Sequence, residues 1–259
     1  MSHLAVASTL AKRELVRFLR QPQRVVGSVA QPILFWLFLG SGFTPSFRPP
    51  GLAEMTYLEY FYPGALLMML LFASIFSCMS VIEDRDQGFL QGVLAAPVSR
   101  VAIVMGKISG SVLIAFAQSL ILLAAAPLVG LTPSFGGAVL IILGMISASV
   151  GFTALGFSIA WGLSSTTGFH AVMMVFLMPM WMLSGALFPL DNAPLWLWSL
   201  MTINPASHAL TMIRLPFYGD MASLLGDPRW LTAALISLGW AAVCLGFSVW
   251  RVNRLEKGV

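Results

Sequence analysis

Six long apolar stretches, separated by short polar segments, leave this chain little choice but a lipid environment. A membrane-spanning helix needs about 20 mostly apolar residues and satisfies its backbone groups internally. Residues 25–42, 60–82, 108–131, 137–162, 168–187 and 230–250 meet that requirement. Pro32 and Pro127 are tolerable within spans, and Pro179 predicts a kink in the fifth. Composition supports the same reading, at 58% hydrophobic and 9% charged residues. Soluble domains carry roughly 25% charged residues, and a water-facing surface on 259 residues needs more polar cover than this chain has. The expectation is an all-α polytopic membrane protein of about six transmembrane helices, forming one domain over residues 1–259.

The loop charges set an orientation. With six spans both chain ends share a side. That side carries Lys12, Arg13, Arg17, Arg20, Arg24, Arg85, Arg100, Lys107, Arg251, Arg254 and Lys257. The other carries only Arg48, Arg214 and Arg229. The positive-inside rule then puts both termini in the cytoplasm. The pI near 9.4 is thereby a topology signal, and no separate basic patch points to nucleic acid. Residues 1–24 are expected to be retained, because Gln31-Pro32 interrupts the first apolar run and no small-residue cleavage site lies beyond it.

Three segments are not simple spans. In residues 1–24, Arg13, Arg17, Arg20 and Arg24 fall on one helical face, with Leu4, Ala11, Leu15 and Phe18 opposite. Such a helix lies in the headgroup layer with its arginines toward phosphates, or acts only as a basic topology anchor. The connector 83–100 opens with Glu83, Asp84, Arg85 and Asp86, continues through Gln87 and Gly88, and then spaces Phe89, Leu90, Val93 and Leu94 as one face. Pro97 ends that helix, which covers 87–96, and Arg100 leads back to the membrane. The segment is either a helix that docks into a partner's groove or an interfacial loop whose acids balance nearby arginines. The outer connector 188–229 is too long for a turn and too apolar for a solvated loop, so re-entrant or interfacial helices are expected. Trp196 and Trp198 suit an interface, Asn204-Pro205 breaks the helix, and Arg214 caps the next element.

Other features have plain readings. Gly144, Ser147, Gly151, Ala154, Ser158 and Gly162 give the fourth span a small-residue face, for packing inside the chain, a dimer contact or a pathway lining. Met173, Met174, Phe176, Met178, Met180 and Met182 suit packing or a hydrophobic cargo. Cys78 and Cys244 sit in apolar runs as small hydrophobes, and His3, His170 and His208 lack metal-ligand spacing. No cofactor is expected. The chain has no phosphate-binding G-x-x-x-x-G-K-[ST] loop, so it does not bind ATP that way. Its spans hold almost no charge, which disfavours an ion-coupled carrier or channel working alone. An intramembrane hydrolase using Ser158 with His170 or His208 is the enzymatic alternative.

Three stretches carry a family resemblance. They are Tyr57-Leu58-Glu59-Tyr60-Phe61-Tyr62-Pro63-Gly64, then Asp86-Gln87-Gly88 through Leu94 with Pro97-Val98-Ser99-Arg100, then Ser184-Gly185-Ala186-Leu187-Phe188-Pro189 with Pro194-Leu195-Trp196 and Asn204-Pro205 to Arg214. In order and placement the chain resembles the membrane permease subunits of type-2 ATP-binding-cassette exporters, departing from the family pattern at Gln91, His208 and Thr211. The resemblance implies a non-enzymatic permease in a bacterial inner membrane. It implies a separate ATPase subunit in two copies and a second permease, as a homodimer. Glu83, Asp84, Arg85, Asp86, Gln87, Gly88, Phe89, Leu90, Val93, Leu94, Pro97 and Arg100 would form the coupling segment against the ATPase. Pro189, Trp196, Asn204, Pro205 and Arg214 would belong to an outer gate. The cargo implied is hydrophobic or amphiphilic: a drug, a lipid or a lipid-linked glycan.

Overall fold

A computed structural model describes residues 3–44, 55–190 and 193–255. It is all-α, with six helices long and apolar enough to cross a membrane among the described residues. Each arises from an apolar run with a local start signal. Pro22 opens α2 (Pro22–Phe43) at a position where its missing N–H is not needed. A capping box opens α3 (Tyr57–Ser77): Thr56 Oγ1 accepts from Glu59 N at 3.3 Å, and Glu59 Oε2 accepts from Thr56 N at 2.9 Å. Ser99, Ser134 and Ser165 cap α6 (Arg100–Ala125), α7 (Phe135–Trp161) and α8 (Thr166–Trp181). The sixth span is α12 (Pro228–Leu255).

Shorter helices join them. α1 (His3–Leu19) precedes the first span. A break at Cys78 separates α3 from α4 (Met79–Asp86), which continues the second span. Then comes α5 (Phe89–Ala95). On the far side lie α9 (Leu195–Ile203), α10 (Pro205–Arg214) and the single turn α11 (Met221–Leu224).

α3 is the axis of the bundle. Phe61, Tyr62 and residues 65–71 are at most 1% exposed, and α2, α6, α7 and α8 surround the helix. α12 lies along α7, and α10 wedges between them. The small face of α7 serves this internal packing. Gly144 abuts Met212 and Ile213 of α10, and Gly151 abuts Trp240 of α12. By contrast, Val175 and Phe176 on α8 are 68% exposed, as suits a surface facing lipid.

Three boundaries differ from the sequence reading, each for a local reason. The third span begins at Arg100, because Lys107 is buried within it instead of ending a loop. The segment 1–24 is not one helix. The residue before a proline is disfavoured in helical geometry, so Gln21 breaks the chain and Arg24 falls on α2. In the fifth span the irregularity sits beyond Pro179, in a π-helical turn at Met182–Ala186, where Gly185 adopts φ +87°.

Candidate functional site

The bundle end that holds α1, α4 and α5 carries the densest electrostatics. α1 crosses α6 at very short range, at Gly106 and Gly110. A Cβ at Gly106 would lie 2.8 Å from Leu10 Cβ, and one at Gly110 would lie 2.8 Å from Glu14 Cβ. That approach lowers Glu14, on the buried side of α1, onto the α6 lysine. Lys107 Nζ donates to Glu14 Oε1 at 2.6 Å and also to Asp84 Oδ2. Lys107 is 2% exposed and Asp84 fully buried.

Asp84 is the hub. Arg13 grips it with two parallel bonds, at 2.7 and 2.8 Å, the strong bidentate geometry. Arg17 Nη1 adds a third at 2.7 Å, and its Nη2 donates to Glu83 Oε2 at 2.5 Å. Arg24 Nη2 donates to the other Glu83 oxygen at 2.6 Å. Hydrogen bonding to Asp84 outweighs desolvation and raises Arg13 above its already high pKa, so it stays charged. Arg13, Arg17, Arg24 and Lys107 thus face Glu14, Glu83 and Asp84, a cluster with one cation in excess.

This corrects the expected placement of the arginines. Arg13 and Arg17 point at carboxylates of the same chain, not at headgroup phosphates, while Arg20 is exposed. The buried side of α1 is Leu10, Ala11 and Glu14, and Leu4 is 83% exposed. A charge taken out of water is tolerable only when paired, and α1 offers its arginines to the nearest fixed acids.

The four charges that open the connector part company. Glu83 and Asp84 are bound inside the cluster. Arg85 donates to the carbonyls of Trp161 at 2.7 Å and Leu163 at 3.1 Å, capping the end of α7. Asp86 is exposed. Gly88 then turns the chain at φ +75°, so the helix starts at Phe89 rather than at Gln87. Its apolar side faces inward. Leu90 is 2% exposed, and Phe89, Val93 and Leu94 pack on the bundle core. The Arg13 guanidinium stacks 3.6 Å over the Phe89 ring, tying α5 to the cluster. What α5 leaves exposed is Gln87, Gly88, Gln91, Gly92 and Ala95, together with Ala96 and Pro97 beyond its end. Arg100 Nη1 reaches the Asn253 carbonyl at 3.4 Å, at the end of α12.

At the opposite end, side chains hold the turn that closes the fifth span. The irregular turn frees carbonyls, and three side chains take them. Tyr57 Oη donates to Leu187 O at 2.9 Å, Tyr60 Oη to Gly185 O at 3.0 Å, and Arg214 Nη2 to Gly185 O at 3.0 Å. Arg214 also lies 4.4 Å over the Tyr60 ring. It therefore reaches back across α10 to the turn instead of capping the next element. Asn204 caps α10 through Ala206 N at 3.0 Å and donates to Met180 O at 2.6 Å, while Pro205 starts the helix. Trp196 is 66% exposed, and Pro189 is half-buried beside the turn. Arg214→Met should lower stability by about 1.5–3 kcal/mol, the worth of a charged hydrogen bond, with Arg214→Lys recovering only part. Thermal unfolding of the detergent-solubilised protein measures it.

The proposed nucleophile has another role. Ser158 bonds Ser248 at 2.8 Å in a buried α7–α12 contact. His170 stacks on Phe76 with ring centroids 5.0 Å apart, and His208 Nε2 lies 2.8 Å from the Thr202 carbonyl. Neither histidine meets the serine, so the hydrolase reading loses its base.

Sequence reasoning passed over Glu14, Lys107, Gly106 and Gly110 as a unit. Two signals were legible: a lysine inside an apolar helix demands a partner, and G-x-x-x-G at 106–110 marks a close helix contact.

Residues 6–218 match the ABC-2 type transporter family. The chain is 28% identical over 244 residues to the ycf38 transport permease of Cyanophora paradoxa, covering 93% of this chain and 81% of that one. It is 29% identical over 172 residues to a protein of Escherichia coli strain K12 named as the multidrug ABC transporter permease YbhR, covering 66% of this chain and 46% of that one. It is 25% identical over 227 residues to the daunorubicin resistance ABC transporter permease protein DrrB1 of Streptomyces coeruleorubidus, covering 83% and 76%.

Proposed function

Since this chain belongs to the ABC-2 type transporter family, we propose that it is the membrane permease of an exporter driven by a separate ATP-binding-cassette ATPase, carrying a hydrophobic or amphiphilic cargo out of the cytoplasm. The family implies the ATPase partner. Two ATPase copies, a second copy of this permease, a bacterial inner membrane and cytoplasmic termini complete the reading. The basic residues at the α1 and α5 end support that orientation. Relatives named as a multidrug transporter permease and a daunorubicin resistance permease support the cargo class.

One observation carries the coupling role. α5 exposes a side of small and polar residues, suited to close contact with another protein, while its apolar side packs on the bundle core and Arg13 ties it to the ion cluster. A push on α5 is thereby delivered to α1, α4 and α6 as one body, because Asp84 and Lys107 bridge all three.

The test is reconstitution. The purified chain with its ATPase in proteoliposomes should accumulate a hydrophobic dye only when ATP is hydrolysed, and the ATPase should copurify with the chain. Transport by the chain alone, driven by an ion gradient, would establish a self-sufficient carrier instead.

A further inference from the structure

One buried group has no part in the ion cluster or in the contacts that hold the turn closing the fifth span. Gln118, on α6, is 4% exposed, and neither its amide nitrogen nor its amide oxygen has a hydrogen-bond partner. It lies eleven residues beyond Lys107, about 16 Å deeper along the helix axis, near mid-depth of a hydrocarbon core about 30 Å thick. An unpaired carboxamide at such a depth is costly, because nothing in lipid replaces its lost water.

Gln118 opens onto a cavity of about 270 Å³ between α2, α3, α6 and α8. Aromatic side chains (Phe18, Phe72 and Phe76) and Pro32 supply its apolar walls. Arg24 and His170 also line it. Arg24 is paired with Glu83 at 2.6 Å, and His170 stacks on Phe76. Gln118 carries no charge, so an ionised ligand group at that side chain finds no counter-charge on it. The Gln118 amide nitrogen and oxygen are covered, so a neutral ligand group with a carbonyl, carboxamide or hydroxyl meets two N–H donors and one acceptor once the side chain turns toward the cavity.

We propose that this cavity binds a neutral amphiphile, with an aromatic or acyl body between the phenylalanines and its polar group on the Gln118 carboxamide. As cargo recognition, this rests on the exporter reading above. As a binding site it needs no ATPase, so the two fail separately.

The probe is prodan, a naphthalene bearing a propionyl carbonyl and a dimethylamino group, titrated by fluorescence against the purified full-length chain in detergent. Saturable binding is expected. Gln118→Leu should weaken it at least about tenfold, the worth of one or two hydrogen bonds. Bound emission should shift to the blue as the carbonyl loses its donor. The variant should fold, since an unpaired buried amide gives way to an apolar group of similar size. Gly27→Phe is the second variant. Gly27 lines the cavity and a Cβ there meets nothing within 4 Å, so the added ring should fill the space and abolish binding. Equal affinity in wild type and both variants, or no saturable binding to wild type, would overturn the proposal. Loss of binding in Gly27→Phe with no change in Gln118→Leu would overturn the role of the carboxamide.

Discussion

Asp84→Asn is expected to detach α1 from the bundle. The carboxylate is fully buried and receives Arg13 twice, Arg17 once and Lys107 once. Without its charge, three cations lose their shared partner, and for Lys107, 2% exposed, water cannot replace it. Removing one side of a buried ion pair typically costs about 3–5 kcal/mol, a large part of a domain's stability. The expected results are a lowered unfolding temperature in detergent and rapid tryptic cleavage at Arg13 and Arg17. Glu83→Gln should do far less, because Glu83 is 20% exposed and its arginines can turn to solvent. Adding Lys107→Met to Asp84→Asn should recover part of the loss by removing one stranded cation. Intact stability and unchanged cleavage in Asp84→Asn would show that the cluster does not hold α1.

Gly92→Trp should produce the opposite pattern: an intact fold and a lost partner. Gly92 is exposed on α5, and a Cβ there meets nothing within 4 Å. The substitution should change stability by less than about 0.5 kcal/mol. If the small side of α5 seats in an ATPase groove, an indole there blocks the contact. Association should weaken on the order of 100-fold, the scale of a central interface position. Size-exclusion chromatography of the pair and ATP-driven dye transport read the effect. Full association and transport in Gly92→Trp would remove α5 from the interface. Asp86→Lys is the electrostatic companion, since Asp86 is the exposed acid of the connector. The two aspartates thus test different things: Asp84 the integrity of the lever, Asp86 its contact with the partner.

The spans were legible because the bilayer imposes a long-wavelength rule that six apolar runs satisfy without reference to one another. Their start signals were equally local: Thr56 with Glu59, and Ser99, Ser134 and Ser165, each within three residues of the group it caps. The position of the connector helix and its terminator at Pro97 were local too. Which side of that helix faces a partner was not, because the apolar periodicity of Phe89, Leu90, Val93 and Leu94 reports burial without naming what buries it. The structure assigns that face to the chain itself.

The sequence by itself determined the membrane class, the number of spans and the asymmetry of charge between the two sides, since each depends on composition along the chain. Only the tertiary structure decided who pairs with whom. Arg13 meets Asp84 across 71 residues, Lys107 meets Glu14 across 93, and Arg214 meets Gly185 across 29. A buried charge requires a partner, but hydropathy leaves open which of several acids will serve. That choice was made by how closely α1 can approach α6 at Gly106 and Gly110, a matter of helix packing in three dimensions.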